Sequence, residues 1–330
     1  MTFPLQQTPA ITLPITVLIC TRNRGDSLVP TVRSILSAET LCQELIIIDQ
    51  SPDEATKLAL SPFQDNSCLR YIHTSSQGKG LALNEGLRLA KNDIVAITDD
   101  DCEVASDWLI PHFEAFARYP RLALTYGNVL PVEHDPIKGF IPTYYVQIDR
   151  LVTNIWQKLS ARGIGANTAV RRKTILAMGG FDTELCPGGL FKACVDRDMT
   201  IRCILNDYHV FESRDSKVYH YGFRNWQQGK TLACNAFYGI GAAHIKAVKC
   251  GHLKAIVLLL WELVAYALLP SLWSLITLQR PFGFNRFVNF ARGMIDGWKF
   301  PIDKEHITFI HHTEEEPTHT RTEPNACAIH

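Results

Sequence analysis

No surplus of charge of either sign marks this sequence: Lys plus Arg and Asp plus Glu both number 33, so the formal net charge is zero. A chain that binds nucleic acid over a broad surface normally carries a basic excess. Nucleic acid is therefore not an expected partner, and partners must be sought in local clusters. No C-x-x-C pair occurs either. The ten cysteines (Cys20, Cys42, Cys68, Cys102, Cys186, Cys194, Cys203, Cys234, Cys250 and Cys327) are scattered, several of them inside apolar stretches. Zinc sites and disulfide frameworks cluster theirs, so free thiols in a reducing compartment are expected. The first ten residues lack the basic and long apolar regions of a secretory signal, which points to the cytoplasm. There is no internal repeat and no G-x-x-x-x-G-K-[ST] phosphate loop.

What is present is apolar and periodic. The 330 residues are 46% hydrophobic, enough for one large α/β domain with an appendage or for two modest domains. After a proline-punctuated leader, residues 15–20 form a β-branched run stopped by Thr21-Arg22-Asn23-Arg24-Gly25. Length and composition predict a strand buried on both faces. Leu28, Val32, Ile35 and Leu36 recur at helical spacing behind it. Residues 45–48 form a second strand ending at Asp49, and 69–72 a third. Residues 80–91 read as a helix, 94–98 as a fourth strand, 107–118 as a helix and 122–127 as a strand. Such alternation predicts a doubly wound, mostly parallel sheet. Further on, 196–206 reads as a helix, with 208–211 and 217–220 as short strands.

Ligands of such sheets bind beyond the carboxyl ends of the strands. Thr21 to Arg24, Asp49 and Asp99-Asp100-Asp101 all fall at that edge. Three adjacent carboxylates repel one another unless a cation neutralises them. Asp99 and Asp101 share a side of an extended segment, and oxygen ligands suit Mg²⁺ or Mn²⁺, which would bridge the phosphates of a nucleoside diphosphate. A solvated capping loop would account for the triplet equally well. The segment Gln77-Gly78-Lys79-Gly80 permits close backbone approach ahead of a helix.

The ordered set Ile19-Cys-Thr-Arg-Asn-Arg24, Ile47-Ile-Asp49, Gly80-x-x-x-Asn84-x-Gly86, Asp99-Asp-Asp101, Gly165-Ala-Asn167, Gly179-Gly-Phe-Asp182 and Asp196-Arg-Asp198-x-x-x-Arg202 resembles a family 2 glycosyltransferase, over about residues 14–225. The resemblance implies an inverting enzyme of GT-A fold: an α/β, Rossmann-like, mostly parallel sheet flanked by helices. It implies that Thr21, Arg22, Arg24, Asp49, Gly80, Asn84, Asp99 and Asp100 bind the nucleotide. Asp101, Asp99 and His220 would hold a divalent metal, Mn²⁺ or Mg²⁺. Gly165, Asn167, Asp182 and Arg202 would meet the acceptor or donor sugar. Asp196 matches the general base, with Asp198 as the alternative. One departure stands out: Val195 occupies a position where the family usually has an acid. A half-buried structural histidine is an equal reading of His220.

The implied partners are a nucleoside-diphosphate sugar, with UDP the favoured nucleotide, and a saccharide or lipid-linked acceptor. Residues 255–278 are nearly all apolar and, at about 36 Å if helical, long enough to span a bilayer. Glu262, Pro270 and basic residues on both flanks fit two short helices lying in the cytoplasmic membrane surface better than a span. A buried pair of helices, or a homodimer contact, is the soluble alternative. The expected organisation is a leader at 1–13, a catalytic domain at 14–235 (nucleotide-sugar half about 14–128, acceptor half about 129–235), an apolar and basic membrane-associating helical region at 236–305, and a disordered tail at 306–330. Two rival functions are a sugar-nucleotide nucleotidyltransferase, which would want a more glycine-rich first loop, and a non-catalytic nucleotide-sugar-binding scaffold.

Overall fold

The computed structural model describes residues 11–277 and 282–311. Its centre is a nine-stranded sheet whose strands in chain order are β1 (Ile11–Thr21), β2 (Thr40–Asp49), β3 (Leu69–His73), β4 (Ile94–Thr98), β5 (Cys102–Val104), β6 (Leu122–Pro131), β7 (Arg150–Val152), β8 (Asn167–Arg171) and β9 (His209–His220). They lie in the order β3-β2-β1-β4-β8-β6-β9-β5, with β7 also on β9. The first four are parallel, β8 runs antiparallel to both its neighbours, and β9 is parallel to β6. The two short strands expected at 208–211 and 217–220 are one strand, β9, with a register irregularity between Glu212 and Lys217.

Alternation along the strands divides the core in two. Leu18, Ile46 and Ile48 face one layer with Leu83 and Leu87 of helix α2 (Lys79–Leu89). Val17, Ile19, Leu45 and Ile47 face the other, with Val32 and Ile35 of α1 (Val29–Leu36) and Phe116 of α3 (Leu109–Arg118). Side chains two apart point the same way, so a continuous apolar run serves both layers. The register puts Thr21 beside Asp49 and Ile19 beside Thr98, aligning the carboxyl ends. From Thr98 the chain needs only Asp99 to Asp101 to reach β5, whose Cys102 pairs with His220. The acidic triplet therefore bridges the middle of the sheet to its edge.

Helix α4 (Val195–Leu205) is pinned by a buried ionic cluster. Lys246 of α5 (Trp226–Lys249) reaches Asp182 at 2.5 Å and Asp198 at 2.7 Å, while Arg202 holds Asp198 at 2.9 Å. Helix α5 starts on a capping box between Asn225 and Gln228 and runs through 235, so the expected domain boundary falls inside one helix. It packs on α7 (Phe282–Lys299) closely enough that a Cβ on Gly293 would meet the Tyr238 carbonyl oxygen at 2.0 Å. Between them, α6 is a single rod built of Ala255–Trp261, a π-helical Glu262–Leu268 and Leu269–Ile276. The expected break at Pro270 does not occur. The wider π register just before it absorbs the proline's missing N–H.

The expected tail boundary also moves. Ile302–Asp303 pairs with Thr308–Phe309, and the buried Phe309 packs on Phe191 with ring centroids 4.5 Å apart. Residues 1–10 of the expected leader and 312–330 of the expected tail lie outside the described residues.

Candidate active site

A cavity of about 690 Å³ opens over the carboxyl edge of the sheet. Its walls include Thr21, Arg22 and Arg24 from the end of β1, Asp99, Asp100 and Asp101 after β4, His220 at the end of β9, and Gly165 and Asp196 from the far side. Residues far apart in sequence meet there because each ends or begins an element at that edge.

The three acids have three different environments. Asp99 is ion-paired with Lys79. Asp100 is buried; it accepts a hydrogen bond from the Thr21 hydroxyl at 2.7 Å and lies 3.3 Å from Arg24 Nε. Burial pushes its carboxyl up, against the pull of Thr21 and Arg24. Burial acts in the same sense on Asp101, but the His220 imidazole and Arg24 more than offset it and hold that carboxyl low. His220 donates from Nδ1 to the Pro142 carbonyl at 3.0 Å, which leaves Nε2 turned to Asp101 Oδ1 at 3.3 Å.

Asp101, Cys102 and His220 bring ligand atoms within 4.8 Å of one another. Burial raises the Cys102 thiol well above its ordinary range, so it is a poor donor. The carboxylate and the imidazole remain, an oxygen and nitrogen set that suits Mn²⁺. A Cβ on Gly222 would sit 2.4 Å from His220 Nε2 and 3.2 Å from Asp101 Oδ2, so the bare glycine keeps this corner open.

Asp196 stands across the cavity in the first turn of α4. Its half-buried carboxyl is pushed up by burial, opposed by Lys79 and by the Gly165 backbone N–H. The Tyr126 hydroxyl donates to its main-chain carbonyl at 2.8 Å. The turn leading in is unusual: Lys192 and Cys194 adopt positive φ, 66° and 92°. Such backbone is uncommon for residues with side chains and concentrates at functional sites.

Several residues expected at a ligand are packing groups instead. Asp198, Asp182 and Arg202 are spent in the ionic cluster under α4 and do not line the cavity. Asp49 is fully buried and accepts from Tyr71 and Ser51; its neighbour Gln50 reaches the wall. Asn84 exchanges hydrogen bonds with the Phe181 backbone at 2.8 and 2.7 Å, and a Cβ on Gly80 would meet Thr183 Cα at 2.8 Å. Asn167 binds the Asn128 carbonyl and His112. In each case an internal main chain or ion needs the polar group.

Two cations on the wall were not expected. Lys79 projects from the start of α2 toward Asp99, whose charge outweighs burial and keeps the ammonium above its ordinary range. Arg224 follows β9 on the same wall, where its charge helps to hold the Asp101 carboxyl low. Lys79 could have been suspected from the glycines around it at a helix start. Arg224 carries no such local signal.

The α/β sheet of this order and its flanking helices have the GT-A fold. Residues 16–175 match the model of Glycosyl transferase family 2, and this part of the chain is a domain of that family. Poly-beta-1,6-N-acetyl-D-glucosamine synthase of Staphylococcus epidermidis is 25% identical over 177 residues, which are 52% of this chain and 42% of that protein. Glucosyl-dolichyl phosphate glucuronosyltransferase of Haloferax volcanii is 25% identical over 180 residues, 52% of this chain and 57% of the relative. The match thus spans only about half of each relative's length. Among solved structures, mannosyltransferase PcManGT of Pyrobaculum calidifontis, in complex with GDP-Man and Mn²⁺, superposes with a TM-score of 0.57 at 15% identity over 90% of each chain. S. aureus TarS 1-349, in complex with UDP-GlcNAc, gives 0.59 at 12% identity over 85% of this chain and 81% of that one. At these identities the structures establish the shared fold.

Proposed function

We propose that the chain transfers a sugar, with inversion, from a nucleoside-diphosphate donor to an acceptor hydroxyl. The observation that carries this reading is Asp196: a raised carboxyl on the wall of the same cavity as the Asp99 to Asp101 acids, held by the Gly165 N–H. Single displacement needs one base for the acceptor proton and no covalent nucleophile. The two cavity thiols, Cys20 and Cys194, are both pushed up to about 12 by burial, which leaves them unsuited to nucleophilic attack.

Thr21, Arg22 and Arg24 would hold the nucleotide beside Asp99 and Asp100. Asp101 and His220, with Asp99 adjacent, would hold Mn²⁺ or Mg²⁺; the ion, when bound, neutralises charge on the departing diphosphate. Lys79 and Arg224 add positive charge to the same wall. Asp196 would take the proton from the acceptor hydroxyl as it attacks the anomeric carbon, while Gly165 fixes the carboxylate's position. Val195 in place of an acid leaves that work to Asp196 alone.

The named relatives support a polysaccharide or a lipid-linked saccharide as acceptor, and UDP as the nucleotide to test first. Helix α6 supports work at the cytoplasmic face of a membrane. Ala255–Trp273 is long and apolar enough to cross one, with 33% of it buried against the protein, and Leu260, Trp261, Val264, Leu269, Leu272 and Trp273 are exposed. Tryptophans at the edge of an apolar face favour the bilayer interface.

Calorimetric titration with UDP, GDP and dTDP, each with and without Mn²⁺, tests the site. One nucleotide should bind in a metal-dependent way, and Asp101→Ala should abolish the metal dependence. A folded protein that binds none of the three refutes the proposal.

A further inference from the structure

Helix α6 makes two polar contacts with the catalytic domain that anchoring alone would not require. Glu262, the single charged residue between 255 and 277, is buried on the π-helical stretch and pairs with Arg197 at 2.9 Å. One turn on, Tyr266 lies under the Arg162 guanidinium, 3.8 Å from the ring centroid. Both contacts end beside the base. Arg197 directly follows Asp196, and Arg162 opens the Gly163 to Gly165 turn whose N–H holds the Asp196 carboxylate. Along the rod, Leu260, Trp261, Val264, Leu269, Leu272 and Trp273 are exposed.

The charges around Glu262 make the pair a fastening point. Arg197 and His244 face it from α4 and α5, Lys158 from the short helix Ile155–Lys158 and Arg162 from the loop before β8. Lys158 is itself buried, with its ammonium on the Ala161 carbonyl at 2.9 Å. Glu262 is thus an acid that several buried and half-buried cations share. Without it Arg197 loses its ion-pair partner beside Lys158 and Arg162, with Asp196 and Glu212 left to oppose these charges.

We infer that α6 is a strut as well as an anchor: Glu262 is a positioning residue that acts through Arg197 on the first turn of α4, and a lipid surface covering the rod's exposed face is what seats it. A rod with its tryptophans and leucines in the interface cannot roll about its axis, so Glu262 stays turned toward Arg197. Lipid also displaces water from the rod's outer side, and a drier surrounding strengthens the pair. The catalytic consequence rests on Asp196 being the base; the mechanical coupling does not.

The test uses the full chain with vesicles of phosphatidylethanolamine and phosphatidylglycerol, followed by hydrogen exchange of the α4 peptide 195–205. In the wild type, exchange there should slow roughly tenfold on vesicles, the size expected of a coupled contact pair. Glu262→Gln should still sediment with the vesicles but gain no such protection, and Glu262→Asp should regain part of it. Trp273→Ser, which weakens the lipid face and leaves the pair alone, should lose sedimentation and protection together. With a nucleotide sugar that the enzyme turns over, Glu262→Gln should lower kcat about tenfold at unchanged donor KM. Equal protection in wild type and Glu262→Gln overturns the strut, as does a wild type that does not sediment with vesicles. Protection that depends on Glu262 in a protein with no transferase activity would overturn the proposed function and leave the strut standing.

Discussion

Gly165→Ala puts one methyl group directly against the proposed base, whose carboxyl supplies the three nearest atoms. A Cβ built on Gly165 lies 2.6 Å from Asp196 Oδ1 and 3.4 Å from Oδ2. Carbon–oxygen contacts of this kind settle at about 3.3–3.6 Å, so the nearer oxygen must retreat by roughly 0.7–1 Å. The backbone N–H that holds the carboxylate is retained, and the nucleotide end of the cavity, at Thr21 and Arg24, is untouched. Misplacing a reacting group by about 1 Å can cost on the order of 100-fold in rate. Gly165→Ala should therefore lower kcat by about 30- to 100-fold, while the dissociation constant for the nucleotide in calorimetry stays within about twofold. The assay is release of nucleoside diphosphate from the donor, with the thermal midpoint recorded to show that the fold survives. A wild-type kcat would refute the placement of Asp196 at the reacting centre. A parallel loss of nucleotide affinity would show that the two sides of the cavity are not independent.

Asp196→Asn should abolish turnover and leave nucleotide binding intact, since only the proton acceptor is lost; single-turnover kinetics beside calorimetry would read both. The base works as the carboxylate, and burial raises its pKa, so activity should fall as pH drops through a value above the ordinary aspartate figure of about 3.9. A kcat/KM profile whose acid limb lies at or below that figure contradicts the assignment. Lys246→Met leaves Asp182 buried without a counter-ion and Asp198 with Arg202 alone and should cost about 3–5 kcal/mol in urea unfolding; a loss under about 1 kcal/mol would mean that Asp182 finds another partner. His220→Ala should weaken Mn²⁺-dependent nucleotide binding and spare any metal-independent part, read in the same calorimeter.

The strands β1 to β4 and β6 were legible because each holds an apolar run between turn residues; β5, β7 and β8 were not, being three to five residues long with no such run. The acidic edge was legible for the same reason: Thr21, Asp49 and Asp99 each stand directly behind such a run. Asp182, Asp198 and Arg202 were misplaced because a charged motif on a helix looks the same whether its charges meet a ligand or one another. Only the arrival of Lys246 from α5 decides that, and it does so by filling the core position where solvent or substrate would otherwise satisfy the acids. Asn84 and Asn167 were misread in the same way, since the carbonyls they bind come from elements remote in the chain.

The amino-acid sequence by itself determined the parallel half of the sheet, its carboxyl edge and the order of the motifs, because local periodicity and turn chemistry act over a few residues; the antiparallel β8 at the sheet's centre was set by tertiary pairing. The tertiary structure decided which acids face the cavity, that Lys79 and Arg224 join them, and that an apolar rod delivers Glu262 to the residue beside Asp196. Those are meetings of groups distant in the chain, and burial and charge pairing fix them only once the elements have packed.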